Sequence, residues 1–361
     1  MGSEGPATQQ DSEDEVIDQS IGEPGEAARR GSRTGPGVIV RWLRHLLALG
    51  AAGLLIASLL PLLHPLWPLA SIAEHFALQI LLAAGLLSLL ALALRRWRWL
   101  AVILGIGLVQ VWIIHPHWPL PGLVLTPTAE ERRLKIVSLN VWYRGESYEA
   151  VRDYLAASEA DVIGLVEVTP RWKAELASLR QLYPYAIDCI GADPRCEEML
   201  LSRHPFIRSG AARVDGALPV LAWGEIALPG HGPVTVAVTH LVWPLLPAGE
   251  GAIVGPLPRL AQTEQAAQLA AGLERLPKDL ILMGDFNAAP WSRIQQALRA
   301  ASGLQNDFAA PSWPAWGPAA IRLPIDHVLA RGRAQIHAFQ AGPDVGSDHL
   351  PVEAVVSLAQ P

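Results

Sequence analysis

Charge is nearly absent from long stretches of the first third of this 361-residue chain. The only formally charged residue between His45 and Leu94 is Glu74, and none occurs from Trp99 to Ala129. An uncharged apolar helix of about 20 residues is long enough to cross a bilayer. The pattern therefore excludes a wholly soluble protein and predicts a membrane protein with a large extramembrane part.

A basic surface is also lacking. The chain has 28 lysine and arginine residues against 34 aspartate and glutamate residues, a formal net charge of -6. Much of the acidic excess lies in residues 1–28, which contain no base, so the remainder is close to neutral. This balance excludes a strongly basic coat for nucleic acid. Residues 1–40, acidic and then basic, have few large apolar side chains and are predicted to be a disordered tail.

Three apolar spans are predicted at about 45–63, 72–94 and 99–114, within a transmembrane region of residues 41–114. The third span is short, so a re-entrant segment stays an alternative. Arginines precede the first span and fill the loop between the second and third, whereas residues 64–71 contain neither lysine nor arginine. The positive-inside rule then places the N-terminus in the cytoplasm and everything after the third span in the periplasm or outside the cell. We expect a multi-pass protein of the inner (plasma) membrane.

Residues 115–133 form a proline-rich linker, and residues 134–361 alternate short β-rich runs with helical stretches. This alternation favours a single α/β sandwich. The predicted helices are Ser147–Ser158, Pro170–Leu182, Pro258–Glu274 and Ser292–Ala301. The predicted strands are Lys135–Val141, Asp161–Glu167, Met199–Ser202, Val234–Leu241, Leu280–Asn287, Ile325–Ala330 and Val352–Leu358.

Polar side chains stand where these strands end or in the loops beside them. Carboxylates together with carboxamides make a hard oxygen site that suits Mg²⁺, or alternatively Mn²⁺, rather than zinc. Histidines nearby suit proton transfer and the stabilisation of an oxyanion. The chain has neither a Walker-type loop nor an HExxH motif, so the set points to metal-assisted phosphoester hydrolysis. The residues are Asn140, Glu167, His240, Asp285, Asn287, Asp326, Asp348 and His349.

The blocks that carry these residues occur in one order along residues 134–358: SLNV, DVIGLVEV, LSRHP, VAVTHL, GDFN, IDHV and GSDHLPV. In this order they resemble the endonuclease/exonuclease/phosphatase superfamily, which includes deoxyribonucleases, AP endonucleases, inositol-polyphosphate phosphatases and bacterial neutral sphingomyelinases. The resemblance implies a four-layer α/β sandwich, with two facing β-sheets flanked by helices and an active site at one edge. It makes residues 134–361 the catalytic domain, preceded by about three transmembrane helices.

The resemblance also implies roles for a first group of residues, which concern the metal. Glu167 matches the principal metal-ligand carboxylate, Asn140 lies beside it, and Asp348 matches a further acid near the metal. Trp142 departs from the AP-endonuclease pattern, which has an acid at that position, and this weakens an abasic-site repair function.

A second group of roles concerns the phosphate and the attacking water. Asp285 matches the residue that orients or deprotonates the water, and Asn287 matches the carboxamide that contacts the phosphate. His349 matches the histidine at the scissile phosphate, Asp326 the carboxylate that orients its ring, and His240 a strand-end histidine of the deoxyribonuclease and sphingomyelinase branches. His327, which follows Asp326, varies in role and is not assigned.

These observations predict a membrane-anchored, divalent-metal-dependent phosphoesterase that acts on the extracytoplasmic side. Its substrate, a phosphodiester or phosphomonoester, stays open among lipid-linked compounds, small molecules and nucleic acid. The alternatives are a membrane-anchored nuclease and a catalytically silent binding module on the same fold. The spans of a transporter would carry buried polar groups. In the spans of this chain the main polar residues are Glu74 and His75, near the end of one span, so a transporter is disfavoured. The bilayer is an expected partner, and no protein partner follows from the sequence.

The chain has only two cysteines, Cys189 and Cys196. The residues between them include Gly191, Asp193 and Pro194, which favour a turn, so a short loop can bring the cysteines within disulfide distance. An oxidising compartment would preserve such a bond. We therefore predict a Cys189–Cys196 disulfide, with two free buried thiols as the alternative.

Overall fold

The computed structural model describes residues 36–64, 68–117, 132–214, 220–243 and 262–360. The predicted tail up to residue 35, most of the predicted linker and the start of the helix predicted at Pro258–Glu274 lie outside these residues. By its internal contacts the chain divides into Met1–His45 and Leu46–Pro361. In the first unit the described residues are helical, and the second contains all the strands.

Three long helices come first: α1 (Pro36–Leu59), α2 (Ala77–Ala93) and α3 (Trp97–Ile114). With the 3₁₀ turns beside them they form apolar segments at Gly37–Leu63, Ala70–Ala93 and Trp97–His117, with mean hydropathy 2.4, 2.3 and 1.8. Each is long and apolar enough to cross a membrane. Small and branched side chains of the second unit are buried where these helices pack together, among them Ala51, Ala84 and Ile103.

Six strands form the first sheet: β1 (Arg132–Asn140), β2 (Val162–Val166), β3 (Tyr185–Asp188), β4 (Met199–Ser202), β10 (Ala334–Ala341) and β11 (Val352–Leu358). Their order across the sheet is β10-β11-β1-β2-β4-β3. β1 and β2 run parallel, and the other neighbours are antiparallel.

Five strands form the second sheet: β5 (Phe206–Arg213), β6 (Val220–Leu228), β7 (Gly232–His240), β8 (Leu280–Asp285) and β9 (Asp326–Arg331). Their order across the sheet is β5-β6-β7-β8-β9. β7 and β8 run parallel, and the other neighbours are antiparallel.

The two sheets face each other across a buried core to which both contribute, for example Ile136 and Val162 from one and Val236 and Met283 from the other. Four helices lie on the outer faces: α4 (Tyr148–Ala157), α5 (Pro170–Glu175), α6 (Gln262–Leu273) and α7 (Arg293–Ser302). Separate apolar clusters join α4 and α5 to the first sheet, and α6 and α7 to the second. The predicted four-layer α/β sandwich, preceded by three apolar helices, is confirmed. The helix predicted over Pro170–Leu182 instead ends at Glu175 and continues as a 3₁₀ turn.

The ends of α2 and α3 contact the sandwich directly. Ala77 and Ile114 form a buried cluster with Ala289 and Trp291. The segment before α2 adds polar contacts: Trp291 Nε1 donates to the Glu74 carbonyl over 2.8 Å, and the Arg293 guanidinium lies 2.6 Å from the Glu74 carboxylate. These contacts join the sandwich to one end of α2 and α3.

Candidate active site

The sheet topology brings the predicted residues to one edge of the sandwich. Asn140 ends β1 opposite Val166, the residue before Glu167, and His240 ends β7 opposite Asp285 at the end of β8. Asp285 in turn pairs with Asp326 at the start of β9. The parallel strand pairs β1–β2 and β7–β8 both end at this edge. The polar residues that follow these strands therefore lie close together.

Unusual backbone conformations shape this edge. Gly284 has φ +139°, and a Cβ there would lie 1.8 Å from the Thr239 carbonyl oxygen, so only glycine lets β7 and β8 approach so closely. Glu167 and Asn287 also have positive φ, at +60° and +48°. Non-glycine residues adopt this region at an energetic cost that the surrounding structure must hold in place. Such strain is typical of functional positions.

The first imidazole of the site, His349, is held by a carboxylate on each side. Its Nδ1 lies 2.8 Å from Asp326 Oδ2, and its Nε2 lies 3.6 Å from Asp285 Oδ2. Burial opposes the charged imidazole, but these two carboxylates outweigh burial and raise the pKa of His349 to about 10. Burial and the charge of Asp326 raise the pKa of Asp285 to about 6. The cluster thus pairs a cationic ring with a carboxylate that can exchange a proton near neutral pH.

The second imidazole, His240, has the same arrangement with a different partner. Its Nδ1 lies 2.5 Å from Glu197 Oε1, and its Nε2 lies 3.2 Å from Asn287 Nδ2 and 3.6 Å from Asp285 Oδ2. Burial disfavours the charged ring, but Glu197, and then Asp285, raise the pKa of His240 well above its usual value. Asp285 Oδ2 therefore stands 3.6 Å from Nε2 of both imidazoles.

Glu167 and Asn140 lie beside these rings. Asn140 Nδ2 donates to Glu167 Oε1 over 2.9 Å and to Asp285 Oδ2 over 3.1 Å, and its Oδ1 accepts from the Trp142 amide. Glu167 Oε2 accepts from the amide of Tyr143. Asn140 therefore orients two carboxylates through its nitrogen, and its Oδ1 keeps a second lone pair that a metal ion could use.

The donor set fits a hard divalent cation. Two buried carboxylate oxygens, Oδ1 of Asp326 and Oδ1 of Asp348, have no hydrogen-bond partner among the residues that the structure describes, and such oxygens are costly to bury unless something pairs with them. Burial raises the pKa of Asp348, with the charge of Glu167 adding to the effect. Ligand atoms of Asp285, Asp326 and His349 also lie within 4.8 Å of one another. Oxygen donors of this kind favour Mg²⁺ or Mn²⁺.

All eight predicted residues thus lie at this edge, and seven of them are joined by the hydrogen bonds and ion pairs given above. Asp348, the eighth, interacts electrostatically with His349 and Glu167. His327, the unassigned histidine, is buried, and its Nε2 lies 2.8 Å from the Ala288 carbonyl. Burial lowers the pKa of His327 to about 4, so it is a neutral hydrogen-bonding residue of the scaffold.

Three residues at the site were not predicted. Glu197 follows Cys196 in a loop, so no strand pattern marks it. Ser347 accepts from the His349 amide over 3.1 Å and donates to the Asn140 carbonyl over 2.7 Å, which ties the GSDHLPV loop to β1. The Trp313 ring lies 6.4 Å from the His349 ring. The serine stands inside a recognised motif, whereas Glu197 and Trp313 reach the site only through tertiary folding.

The predicted disulfide between Cys189 and Cys196 is confirmed, with a Cα–Cα distance of 5.5 Å. The loop that it closes ends immediately before Glu197, the partner of His240. The bond therefore stands next to the active site along the chain.

The chain resembles known proteins in sequence and in fold. Residues 137–349 match the model of the Endonuclease/Exonuclease/phosphatase family. No curated protein sequence matches the chain significantly. Among similar solved structures, the endonuclease/exonuclease/phosphatase from Bacteroides vulgatus is 14% identical, over 63% of this chain and 100% of its own, with a TM-score of 0.50.

Two further solved structures are similar to the chain at comparable identity. Sphingomyelinase C from Streptomyces griseocarneus is 18% identical over 63% of this chain and 100% of its own, with a TM-score of 0.46. A humanized D. rerio TDP2 is 18% identical over 62% of this chain and 98% of its own, with a TM-score of 0.48. Since the family match covers more than half of the chain, the chain belongs to the endonuclease/exonuclease/phosphatase family, whose enzymes are divalent-metal-dependent phosphoester hydrolases.

Proposed function

From this membership we propose that the protein is a membrane-anchored phosphoesterase that hydrolyses its substrate on the extracytoplasmic side of the inner (plasma) membrane. The observation that carries the proposal is the position of Asp285, buried between two imidazoles that each have a carboxylate on Nδ1. A silent binding module would have no need to keep such a costly set of buried charges.

The chain's own residues account for the handling of protons and charge. Asp285, with a pKa raised to about 6, aligns the attacking water and accepts its proton. His240 and His349, both with raised pKa values, present cationic N–H groups that stabilise the negative charge developing on the phosphoryl oxygens. Asn287, whose backbone N–H donates to Asp285 Oδ1 over 2.8 Å, adds a carboxamide on the same side.

A divalent cation would be held by Glu167 and Asp348, with Asn140 beside them. When bound, Mg²⁺ or Mn²⁺ supplies Lewis-acid polarisation of a phosphoryl oxygen. Asn140 and the Tyr143 amide fix the Glu167 carboxylate through hydrogen bonds, so the ligand is preorganised.

The extracytoplasmic side is supported by two independent features. Arginines flank the predicted cytoplasmic ends of the spans, whereas residues 64–71 contain neither lysine nor arginine. The Cys189–Cys196 disulfide is of a kind that persists in oxidising compartments.

The test is hydrolysis of bis(p-nitrophenyl) phosphate and p-nitrophenyl phosphate by the purified full-length chain in detergent, with Mg²⁺, with Mn²⁺ and with EDTA. We expect metal-dependent turnover that Glu167→Gln lowers by orders of magnitude, because a neutral amide binds a hard cation poorly. Glu146→Gln, on an exposed surface glutamate, is the matched control. Absence of turnover with either ester and either metal would contradict the proposal.

A further inference from the structure

One loop of the sandwich touches both the candidate active site and a membrane helix. Residues 314–322, here the Trp316 loop, are closed at the base by hydrogen bonds between the backbones of Trp313 and Leu323. Trp316 is 77% exposed and Ile321 is 45% exposed. Among the described residues from 132 onwards, no large apolar side chain is more exposed than Trp316. A single exposed apolar side chain is ordinary on a protein surface, so its meaning depends on what the loop contacts.

The base of the loop borders the catalytic edge. The Ala315 amide donates to the Asp348 carbonyl over 2.8 Å. Trp313, the residue before the loop, has its ring 6.4 Å from that of His349. A molecule held by the Trp316 loop is therefore next to the residues proposed to act on phosphate.

The other side of the loop is held by α2. Gln79 Nε2 donates to the Arg322 carbonyl over 3.2 Å and to the Ala320 carbonyl over 3.4 Å. Gln79 is the third residue of α2 (Ala77–Ala93). At about 1.5 Å of rise per residue, it lies within one helical turn of the end of that helix. The loop thus lies beside the first turn of α2, within the apolar segment Ala70–Ala93.

Further contacts join the sandwich to the segment just before α2. His75 Nδ1 accepts from the Ala289 amide over 3.1 Å, and Glu74 pairs with Arg293. Ala289 is two residues beyond Asn287, so the contact reaches the active-site loop itself. These contacts attach the sandwich directly to the segment that leads into α2.

We propose that Trp316 and Ile321 lie in the interfacial layer of the bilayer that α2 crosses, and that the site hydrolyses a phosphoester in the headgroup of a lipid in that leaflet. Tryptophan favours this layer because its ring is apolar and its N–H is polar. The proposal rests on the function proposed above and names its substrate class.

The charge of the loop favours lipid over nucleic acid. Its one basic residue, Arg322, donates Nη2 to the Ala315 carbonyl within the loop. From Glu130 to the C-terminus the chain has more acidic than basic residues, 25 against 20. Nucleic-acid binding depends on several lysines or arginines that neutralise phosphates, and the Trp316 loop offers apolar surface in their place.

The position of the loop can be measured with a fluorophore. Both native cysteines are bonded to each other, so Trp316→Cys adds the only free thiol, which is labelled with the environment-sensitive dye NBD in full-length protein reconstituted in phosphatidylethanolamine–phosphatidylglycerol vesicles. Ile207→Cys is the matched control, since Ile207 is 59% exposed on strand β5. We expect a blue shift and quenching by headgroup-proximal nitroxide lipids at position 316 but not at position 207. Equal spectra and equal quenching at the two positions overturn the membrane contact.

The substrate class is tested separately with the unlabelled protein. Vesicles of phosphatidylglycerol, phosphatidylethanolamine and phosphatidic acid offer two headgroup diesters and a monoester, and bis(p-nitrophenyl) phosphate serves as the soluble substrate. We expect headgroup or phosphate release from at least one lipid, lowered at least tenfold by Trp316→Ser, with soluble-diester turnover kept within twofold. Ile207→Ser should change neither rate.

The outcomes separate this proposal from the function on which it rests. Normal turnover of the soluble diester without release from any of the three lipids overturns the lipid substrate, as does faster hydrolysis of DNA or RNA than of lipid. Lipid turnover that Trp316→Ser leaves unchanged overturns the function of the loop. Failure to hydrolyse the soluble diester as well contradicts the proposed phosphoesterase itself.

Discussion

His349 Nδ1 lies 2.8 Å from Asp326 Oδ2, and both side chains are buried. Asp326 has no proposed contact with substrate, so its contribution passes through the ring that it orients and charges. The two residues therefore behave as one unit in which neither is useful without the other.

The first prediction is that His349→Ala and Asp326→Asn are strongly non-additive. His349→Ala should lower kcat by roughly 10²–10³-fold, as removal of a donor to a developing oxyanion does. Asp326→Asn should have a large effect alone and little further effect once His349 is absent. The measurement is kcat for the two single variants and the double variant with bis(p-nitrophenyl) phosphate, and losses that multiply in the double variant would show that the residues act independently.

The second prediction concerns Glu197 as the positioning residue of His240. Glu197→Gln keeps the shape but removes the charge that raises the pKa of His240. We expect at least about a tenfold loss of kcat, part of the roughly 10²–10⁴-fold that a positioned acid or base contributes. The alkaline limb of the pH–rate profile should move to lower pH, because His240 then loses its proton more easily.

Glu198→Gln is the control for that variant. Burial, and then the charge of Glu197, raise the pKa of Glu198 well above its usual value, so a neutral amide resembles the carboxylic acid already favoured there. Its oxygen can still accept from the Glu197 amide, as Glu198 Oε2 does over 3.0 Å. An unshifted pH–rate profile in Glu197→Gln, or the same shift in Glu198→Gln, would contradict the assignment of Glu197.

The sequence predicts the site better than it predicts the sheets, for a physical reason. Asn140, His240 and Asp285 end strands that are rich in buried aliphatic residues, and such runs are easy to recognise. Strands β3, β5 and β10 were not predicted, and all three are sheet edges. β5 shows why, because Arg208 and Ser209 are exposed there and no apolar alternation remains.

Tertiary contacts account for what the sequence could not supply. β6 was also missed, since its apolar run is interrupted by Gly224 and by Glu225, which is buried in a 2.5 Å ion pair with Arg208. Glu74 was visible only as a charge near the end of a span. Its partner Arg293 is 219 residues away along the chain, and no local pattern connects the two.

The third prediction concerns His327 and acid stability. The folded protein holds the pKa of His327 near 4 by burial, against an ordinary value of 6.5. Above pH 6.5 the His327 ring is neutral in both the folded and the unfolded protein. Below pH 6.5 the unfolded chain binds a proton at His327, whereas the folded chain does so only near pH 4. The folded state therefore loses up to about 3 kcal/mol from this residue as pH falls from 6.5 to 4.

His327→Gln removes that titration. At pH 7 we expect the variant to have a lower Tm than the wild type, because the hydrogen bond to the Ala288 carbonyl is disturbed. The difference in Tm should shrink as pH falls to 4, at roughly 2–4 °C per kcal/mol. Thermal unfolding of the full-length protein in detergent measures it, and a difference that stays constant from pH 7 to pH 4 would refute the titration of His327.

The last prediction links the disulfide to topology. The Cys189–Cys196 bond closes a short loop, for which chain entropy gives a stabilisation of about 2–3 kcal/mol, and it can persist only where the environment is oxidising. Intact cells are treated with a thiol-alkylating reagent, and the protein is then examined by mass analysis. We expect both cysteines to be unmodified and linked to each other. Alkylation should occur only after the bond has been reduced. Because Cys196 precedes Glu197, the partner of His240, Cys189→Ser with Cys196→Ser should also lower turnover of the soluble diester. Two cysteines alkylated without reduction would contradict both the bond and the placement of the catalytic domain outside the cytoplasm, since a reducing cytosol is where free thiols are expected.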